Sequence, residues 1–526
     1  MTFIQASPRV ENRALADPAL MRTLRRILPA DLYASAVAEV VALGARVGSD
    51  GDLAELGRRA EANPPRHVPY DAWGNRIDSL VVDPSWTTLV ASGASAGLVA
   101  TAYESTYGDY ARVVQAALIQ VFSAATATAS CPLAMTDAAA TALRLHDKAL
   151  ADEVVPHLIA RSDAWTSGQW MTEKEGGSDL GRSSTTARLD DDGQWRLTGT
   201  KWFTSATTAT VALALARPEG AEAGGRGLSA FLVRLRRPDG SWNGIRVRRL
   251  KDKFGTRGLP TAELDLIDTV ASPIGDLGRG IPKVAAMLNV ARLWSTHGAV
   301  SGAGQALALA RDYAGRRSVL GGPLAAQPVH VAWIADLAAT YEAMVALSFR
   351  ASEVHGDSPL GRILPPLAKL ACARQAVDVT SQLLESFGGA GYLEDTGIPQ
   401  LLRDVHVQCI WEGTTSVLAL DVVRALRDPA VGAALLAEIS ARREVPGELR
   451  LLVRDADAAD ARRLAWGLAR TYQAALLDEA ATWPDPQTGA PDPAAAAAAS
   501  IFAFRPLLDP ELPTDSLSTL AFPPPC

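Results

Sequence analysis

Residues 171–187 read MTEKEGGSDLGRSSTTA. The paired glycines Gly176 and Gly177 let a backbone come close to a ligand, and Thr172 and Ser178 set hydroxyls beside N–H groups. Donors of that kind suit a phosphate or the edge of a flat heterocycle. A hairpin loop is the alternative, because Gly, Ser and Asp cluster in turns whether or not anything binds there.

The texture of the chain changes on either side of this stretch. Upstream, from about Asp17 to Arg161, apolar residues recur at helical spacing, as in ALMRTLRRIL and YARVVQAALIQVFSAATATA. One break interrupts them: Pro64 to Trp86 is rich in Pro, Gly and Asn and reads as an irregular connection. Downstream, to about Asp276, short alternating runs such as QWRLTGTKWFTS, LSAFLVRLRR and TAELDLIDT are separated by Asp-Gly and Gly-rich turns, which predicts a β domain. Long amphipathic helices return from about Pro282 to Ala430. The expected class is α+β, with an N-terminal helical domain (1–166), a middle β domain (167–281), a helical bundle (282–430) and an extension (431–526). The extension reads as a helical stretch, then low-complexity sequence and a proline-studded tail.

Composition narrows the function classes. At 526 residues, with 48% hydrophobic and 21% charged content, the chain has enough apolar residues for large cores. A net charge of −7 argues against a surface built throughout for nucleic acid or anionic membrane. The extension alone carries eight arginines, no lysine and thirteen acids, a formal −5. The N-terminus is too polar for a signal peptide and no uninterrupted apolar run approaches a membrane span, so a cytoplasmic protein is expected. The four cysteines show no CxxC spacing, and the seven histidines form no ligand pattern, so neither a disulfide nor a metal is expected. GAGQAL (302–307) lacks the third glycine of a dinucleotide loop and lies in helical sequence, where close helix packing explains it better.

A second stretch, VQCIWEGTTS (407–416), sets the lone carboxylate of Glu412 between an apolar run and a glycine followed by hydroxyl residues. A glutamate near a helix start often does no more than complement the helix dipole. Nothing within the stretch itself decides whether this one does more.

MTEKEGGSD, GTKWFTS (199–205), LKDKFGTRG (250–258), RRSVLGGPL (316–324), FGGAGYLED (387–395) and RDVHVQCIWEGTTSVLALDVVRAL (403–426) follow one another in an order and spacing that resemble the acyl-CoA dehydrogenases. HVPYDAWGNRIDSLVVDPSW (67–86), SCPLAMTDAA (130–139), Lys174 in place of a common proline and the long extension resemble the AidB-type, alkylation-response branch. The resemblance implies FAD between the β domain and the bundle. Thr172, Gly177 and Ser178 would line it, Phe203 and Ser205 would meet its ring where relatives commonly have Trp and Thr, and Thr414 and Ser416 would approach it after the catalytic glutamate. Arg317, Gly388 and Gly389 would hold the adenosine and pyrophosphate of a neighbouring subunit's cofactor, with Leu320 replacing a usual Phe. That implies a homo-oligomer, dimer or tetramer.

The resemblance implies that Glu412 is the catalytic base, with its apolar neighbours Ile410 and Trp411 limiting hydration, raising its pKa and strengthening its basicity towards a carbon acid, and Gly413 keeping the wall thin. In some relatives the base precedes an arginine on another helix, but the matching pair here is Ala291-Arg292. Arg292 and Gly413 would face an acyl thioester, although Asn289 replaces a usual acid three residues before Arg292. The implied activity is α-proton removal with β-hydride transfer to flavin, the electron acceptor being unspecified. A DNA-associated flavoprotein of the alkylation response is the second class, for which the basic strand IRVRRLKDK (245–253) is the one candidate patch and to which the acidic extension is opposed. A flavin oxidase on the same fold is the third.

Overall fold

The computed structural model describes residues 5–486, 488–510 and 521. Seven helices form the N-terminal body: α1 (Pro18–Ile27), α2 (Ala30–Arg46), α3 (Asp52–Ala62), α4 (Pro84–Ser95), α5 (Ala111–Phe122), α6 (Ser130–His146) and α7 (Lys148–Leu158). Their starts follow local chemistry. Asp17, Asp83 and Asp147 each accept an N-terminal N–H of the helix that follows, and prolines occupy the first turns of α1 and α4, where no donor is lost.

The expected irregular connection is instead a β-hairpin, β1 (Arg66–Tyr70) and β2 (Arg76–Val81), paired antiparallel around Gly74 at φ +84°. Tertiary contact decides this. Arg76 donates to the Val247 carbonyl at 2.7 Å, and the Trp242 indole donates to the Asp78 carbonyl at 3.1 Å, so the hairpin is held against the middle domain.

That middle domain consists of β3 (Ser167–Trp170), β4 (Thr186–Leu189), β5 (Trp195–Ser205), β6 (Val211–Pro218), β7 (Ser229–Arg234), β8 (Ile245–Leu250) and β9 (Thr261–Pro273). The order β3-β6-β4-β5-β9-β7, with β7 pairing back onto β6, closes a ring from which β3 and β8 branch. Closure removes edges that could otherwise pair with another chain. Inside lie Trp170, Leu197, Phe231, Val247 and Leu264, all buried, each from an alternating strand face.

The bundle comprises α8 (Gly280–Arg316), α9 (Pro328–Glu353), α10 (Pro359–Ser386), α11 (Ile398–Val407) and α12 (Thr415–Leu426). The Gly302-Ala-Gly304 stretch is helical, and a Cβ on Gly302 would collide with Val405 of α11, one on Gly304 with Arg13 and Tyr341; these glycines permit close packing. By length and composition α9 is apolar enough to cross a membrane, against the expectation from sequence; here it packs against α8, α10 and two helices of the extension, Ala461–Thr482 and Pro493–Phe502.

Beyond α12 come α13 (Pro429–Ser440), α14 (Gly447–Arg454), α15 (Ala461–Thr482) and α16 (Pro493–Phe502). The alanine run read as low complexity forms α16, whose Ala498 and Phe502 pack on Ala343, Ala474 and Leu477. Asp492 accepts its first N–H groups. The proline-studded tail falls largely outside the described residues.

Candidate active site

The loop that follows β3 is pinned from below. Glu173, 2% exposed, accepts from Lys201 Nζ at 2.6 Å, from Thr185 Oγ1 at 2.6 Å, and from the N–H and Oγ of Ser184 at 2.6 and 2.9 Å. Lys201 in turn donates to the Leu215 carbonyl at 2.7 Å. Burial opposes ionisation of Glu173, but the adjacent ammonium and these hydrogen bonds hold its carboxyl below the usual range. The stretch is thus more than a hairpin turn: its glutamate is an anchor, and its glycines sit at the surface above it. A Cβ on Gly177 would lie 3.0 Å from Thr172 Cγ2, which explains a glycine beside that hydroxyl.

Thr172 accepts the Trp202 N–H at 3.0 Å, joining the loop to β5. The pairing of β5 with β9 shifts register between Lys201 and Thr204, and the irregularity leaves Phe203 54% exposed between the half-buried Trp202 and the buried Thr204. A bulge re-aims a side chain in this way beside functional sites. Ser205 and Thr261 share a hydroxyl hydrogen bond of 3.0 Å on the same strand pair. Gly177 thus lies beside Thr172, Thr172 is joined through Trp202 to the part of β5 that carries Phe203 and Ser205, and Ser178 follows Gly177 on the exposed side of the loop.

Glu412 lies on the opposing bundle. It does not cap α12, whose N-cap is Thr414, and its φ of +55° with Gly413 at +111° makes a left-handed turn. Such a φ strains any residue with a Cβ, and it persists only where the surroundings impose it. Three contacts do so. Gln169 Nε2, on β3, donates to the Glu412 carboxylate at 3.3 Å, Arg292 Nε donates to the Glu412 carbonyl at 3.3 Å, and Lys369 Nζ donates to the Gly413 carbonyl at 2.6 Å. Burial pushes the Glu412 carboxyl above the ordinary range, against the pull of Arg292, Gln169 and Lys369. Its backbone N–H has no acceptor among the described residues.

The shielding expected from Ile410 is not found: Ile410 is 55% exposed, because the left-handed turn carries the carboxylate inward while the preceding turn faces out. Trp411 remains partly buried. Arg292, expected to face substrate, directs NH1 to Asp421 at 2.8 Å and to Asn289 at 3.1 Å, besides its bond to Glu412. Asp421 also pairs with Arg362 at 2.8 Å. Gln169, Lys369 and Asp421 belong to this site and were not singled out from sequence. Nothing local marks them, since Gln169 stands 243 residues from its partner.

Arg317, Gly388 and Gly389 lie at the far end of the bundle. Tyr313 donates to the Phe387 carbonyl at 3.3 Å and their rings stand 5.1 Å apart, which joins the end of α8 to the turn after α10. A Cβ at Gly388 or Gly389 would meet nothing within 4 Å, and Leu320 and Tyr392 nearby in sequence are each 91% exposed. Thr414 is exposed and makes no side-chain capping bond; Ser416 Oγ receives Arg462 NH1 from α15 at 3.2 Å. No group of His, Cys, Asp and Glu suited to a metal occurs among the described residues. On the basic strand β8, Arg248 pairs with Asp265 at 2.8 Å and Arg249 with Glu263 at 2.7 Å.

A closed β domain set beside two helical bodies, with a carboxylate on a strained turn at their seam, defines a three-domain architecture. Residues 168–269 match the acyl-CoA dehydrogenase middle domain, 278–427 the acyl-CoA dehydrogenase C-terminal domain and 6–163 the adaptive response protein AidB N-terminal domain. The chain is 43% identical to acyl-CoA dehydrogenase family member 11 of Caenorhabditis elegans over 80% of this chain and 72% of that protein. It is 32% identical to the putative acyl-CoA dehydrogenase AidB of Escherichia coli, over 76% of each. The crystal structure of C. elegans ACDH-11 in complex with C11-CoA superposes with a TM-score of 0.91 at 36% identity, covering 99% of this chain and 97% of that one. The protein belongs to the acyl-CoA dehydrogenase family.

Proposed function

We propose that this protein oxidises acyl-CoA thioesters with FAD as cofactor and Glu412 as the base. The observation that carries this reading is the Glu412 turn, where a partly buried carboxylate of raised pKa and an unpaired N–H of the same residue lie at the seam between bundle and β domain. The complex of the C. elegans relative with C11-CoA supports a thioester as substrate.

The residues present fit FAD. The outward Phe203 ring suits a flat heterocycle, and the Thr172, Ser178, Ser205 and Thr414 hydroxyls suit its polar edge and phosphates. Gly388 and Gly389 leave room that a Cβ would fill, and the Arg317 guanidinium matches a pyrophosphate. When bound, FAD supplies the acceptor for the hydride that leaves the β-carbon, so that the acyl group ends as a trans-2-enoyl thioester.

The chain's own residues do the rest. Glu412 takes the α-proton, a step favoured by a carboxylate whose pKa is raised towards that of its task. The Glu412 N–H is placed to donate to the thioester carbonyl and stabilise the negative charge that grows there. Gln169 holds the carboxylate, and Gly413 keeps the wall thin. Arg292 acts on the base turn rather than on substrate. A homo-oligomer in which Arg317 serves a neighbour's cofactor covers the exposed Leu320 and Tyr392.

The test is anaerobic mixing of the FAD-loaded protein with saturated acyl-CoAs of graded length, C11-CoA among them. Bleaching of the flavin is expected with at least one. A protein that takes up no FAD, or whose flavin stays oxidised with every chain length, overturns the reading.

A further inference from the structure

The turn that carries Glu412 is strained, and its two carbonyls are gripped by two cations from two different helices. Arg292 of α8 holds the Glu412 carbonyl, and Lys369 of α10 holds that of Gly413. Lys369 is fully buried. A buried ammonium is costly unless strongly engaged, and among the described residues the one hydrogen bond it makes is to Gly413. The neighbouring Arg292 adds repulsion.

We infer that Lys369 is a positioning residue for the base: by holding the Gly413 carbonyl, jointly with Arg292 on Glu412, it fixes the left-handed turn so that the Glu412 carboxylate and N–H meet the substrate together. This rests on Glu412 being the base. The geometry is specific. A left-handed residue followed by a glycine has several accessible peptide orientations, and pinning two successive carbonyls selects one. With both carbonyls engaged, the Glu412 N–H is left as the unpaired donor at the seam. Lys369 also acts through its charge. Burial pushes its ammonium down to about 7, against the pull of Cys409 and Glu412 and with the push of Arg292. The charged groups facing Glu412 are Arg292 from α8 and Lys369 from α10, both of which favour its ionised form; Cys131 of α6 is its further titratable neighbour.

The experiment compares wild type, Lys369→Met and Glu412→Gln as FAD-loaded full-length chains. Hydrogen exchange across 408–418 reads the clamp without any substrate. The rate of flavin reduction by C11-CoA against pH reads its effect on the base. In Lys369→Met the segment should exchange about tenfold faster, as loss of one charge-assisted hydrogen bond implies. Flavin reduction should slow about 100-fold, the size of effect a misplaced reacting group produces, with little change in C11-CoA binding. The acidic limb of the rate profile should move to higher pH, because one cation that favours the carboxylate is gone; a merely structural lysine leaves that limb in place. Lys369→Gln, which keeps a donor without the charge, should shift the limb with slower exchange than Lys369→Met. Unchanged exchange in both variants overturns the clamp. Should Glu412→Gln reduce its flavin at the wild-type rate, the base assignment falls, while exchange still judges Lys369.

Discussion

Glu173, locked inside the β domain, and Glu412, on the bundle side of the seam, are two glutamates that differ in how fully their charge is answered. Glu173 receives an ammonium, two hydroxyls and backbone N–H groups, and its carboxyl is held below the ordinary range. Glu412 receives one amide hydrogen bond of 3.3 Å and is pushed above that range. A carboxylate whose lone pairs are all engaged is a fixture of the fold. One that is buried with a single weak donor stays ready to accept a proton. Residue type is the same; the partners decide the role.

The sharpest way to break this contrast is to remove the proposed proton acceptor. Glu412→Gln keeps the volume and should lower flavin reduction by about 10²–10⁴-fold or more, with FAD binding and thermal stability retained. Rapid mixing against an acyl-CoA that the parent enzyme uses measures it, and a wild-type rate would remove Glu412 from the chemistry.

On the other side, Lys201→Met leaves Glu173 buried without its countercharge. Loss of one partner of such a pair should cost about 3–5 kcal/mol of stability. Denaturant unfolding reads this, and a midpoint equal to wild type would mean that Glu173 is no anchor. The pH dependence has opposite signs at the two sites. The folded-state pKa of Glu173 is lowered, so its contribution to stability is present above the ordinary glutamate pKa and is lost as pH falls below it. The folded-state pKa of Glu412 is raised, so its contribution is present below that value and is lost as pH rises through the raised one. Glu412→Gln should therefore flatten the loss on the rising side, and Glu173→Gln the loss on the acid side.

A finer test is Gln169→Leu. Loss of the single donor to the carboxylate should raise the Glu412 pKa further and move the acidic limb of flavin reduction upward, by about one unit for a hydrogen bond worth about 1 kcal/mol. An unmoved limb would show that burial alone sets this carboxyl. The smallest effect is expected for Arg248→Ala, a surface partner of Asp265 that is half exposed, which should change stability by less than about 0.5 kcal/mol. A larger loss would show that the strand face matters more than either glutamate contrast suggests.

The motifs were legible because they depend on local chemistry. Paired glycines beside hydroxyls, alternating β runs with Asp-Gly turns, and a glutamate before Gly-Thr-Thr-Ser all carry their meaning within ten or so residues, and six such stretches in order identified the family. The α-β-α order was readable for the same reason, since periodicities of 3.6 and 2 are properties of neighbouring residues.

Tertiary structure alone decided the rest. A polar, Pro- and Gly-rich connection became a hairpin because β8 and Trp242 supply partners from the middle domain. Ile410 turned out exposed, since the φ of Glu412 is imposed by contacts from α8, α10 and β3 rather than by its own neighbours. Arg292 was taken up by Asp421, and a lysine in the middle of α10 came to hold the Glu412–Gly413 turn, at separations of 129 and 44 residues. Hydrogen bonds and burial are short-ranged in space and indifferent to distance along the chain. The sequence by itself determined which family this protein belongs to, while the packing of three domains determined which groups hold the Glu412 carboxylate in place.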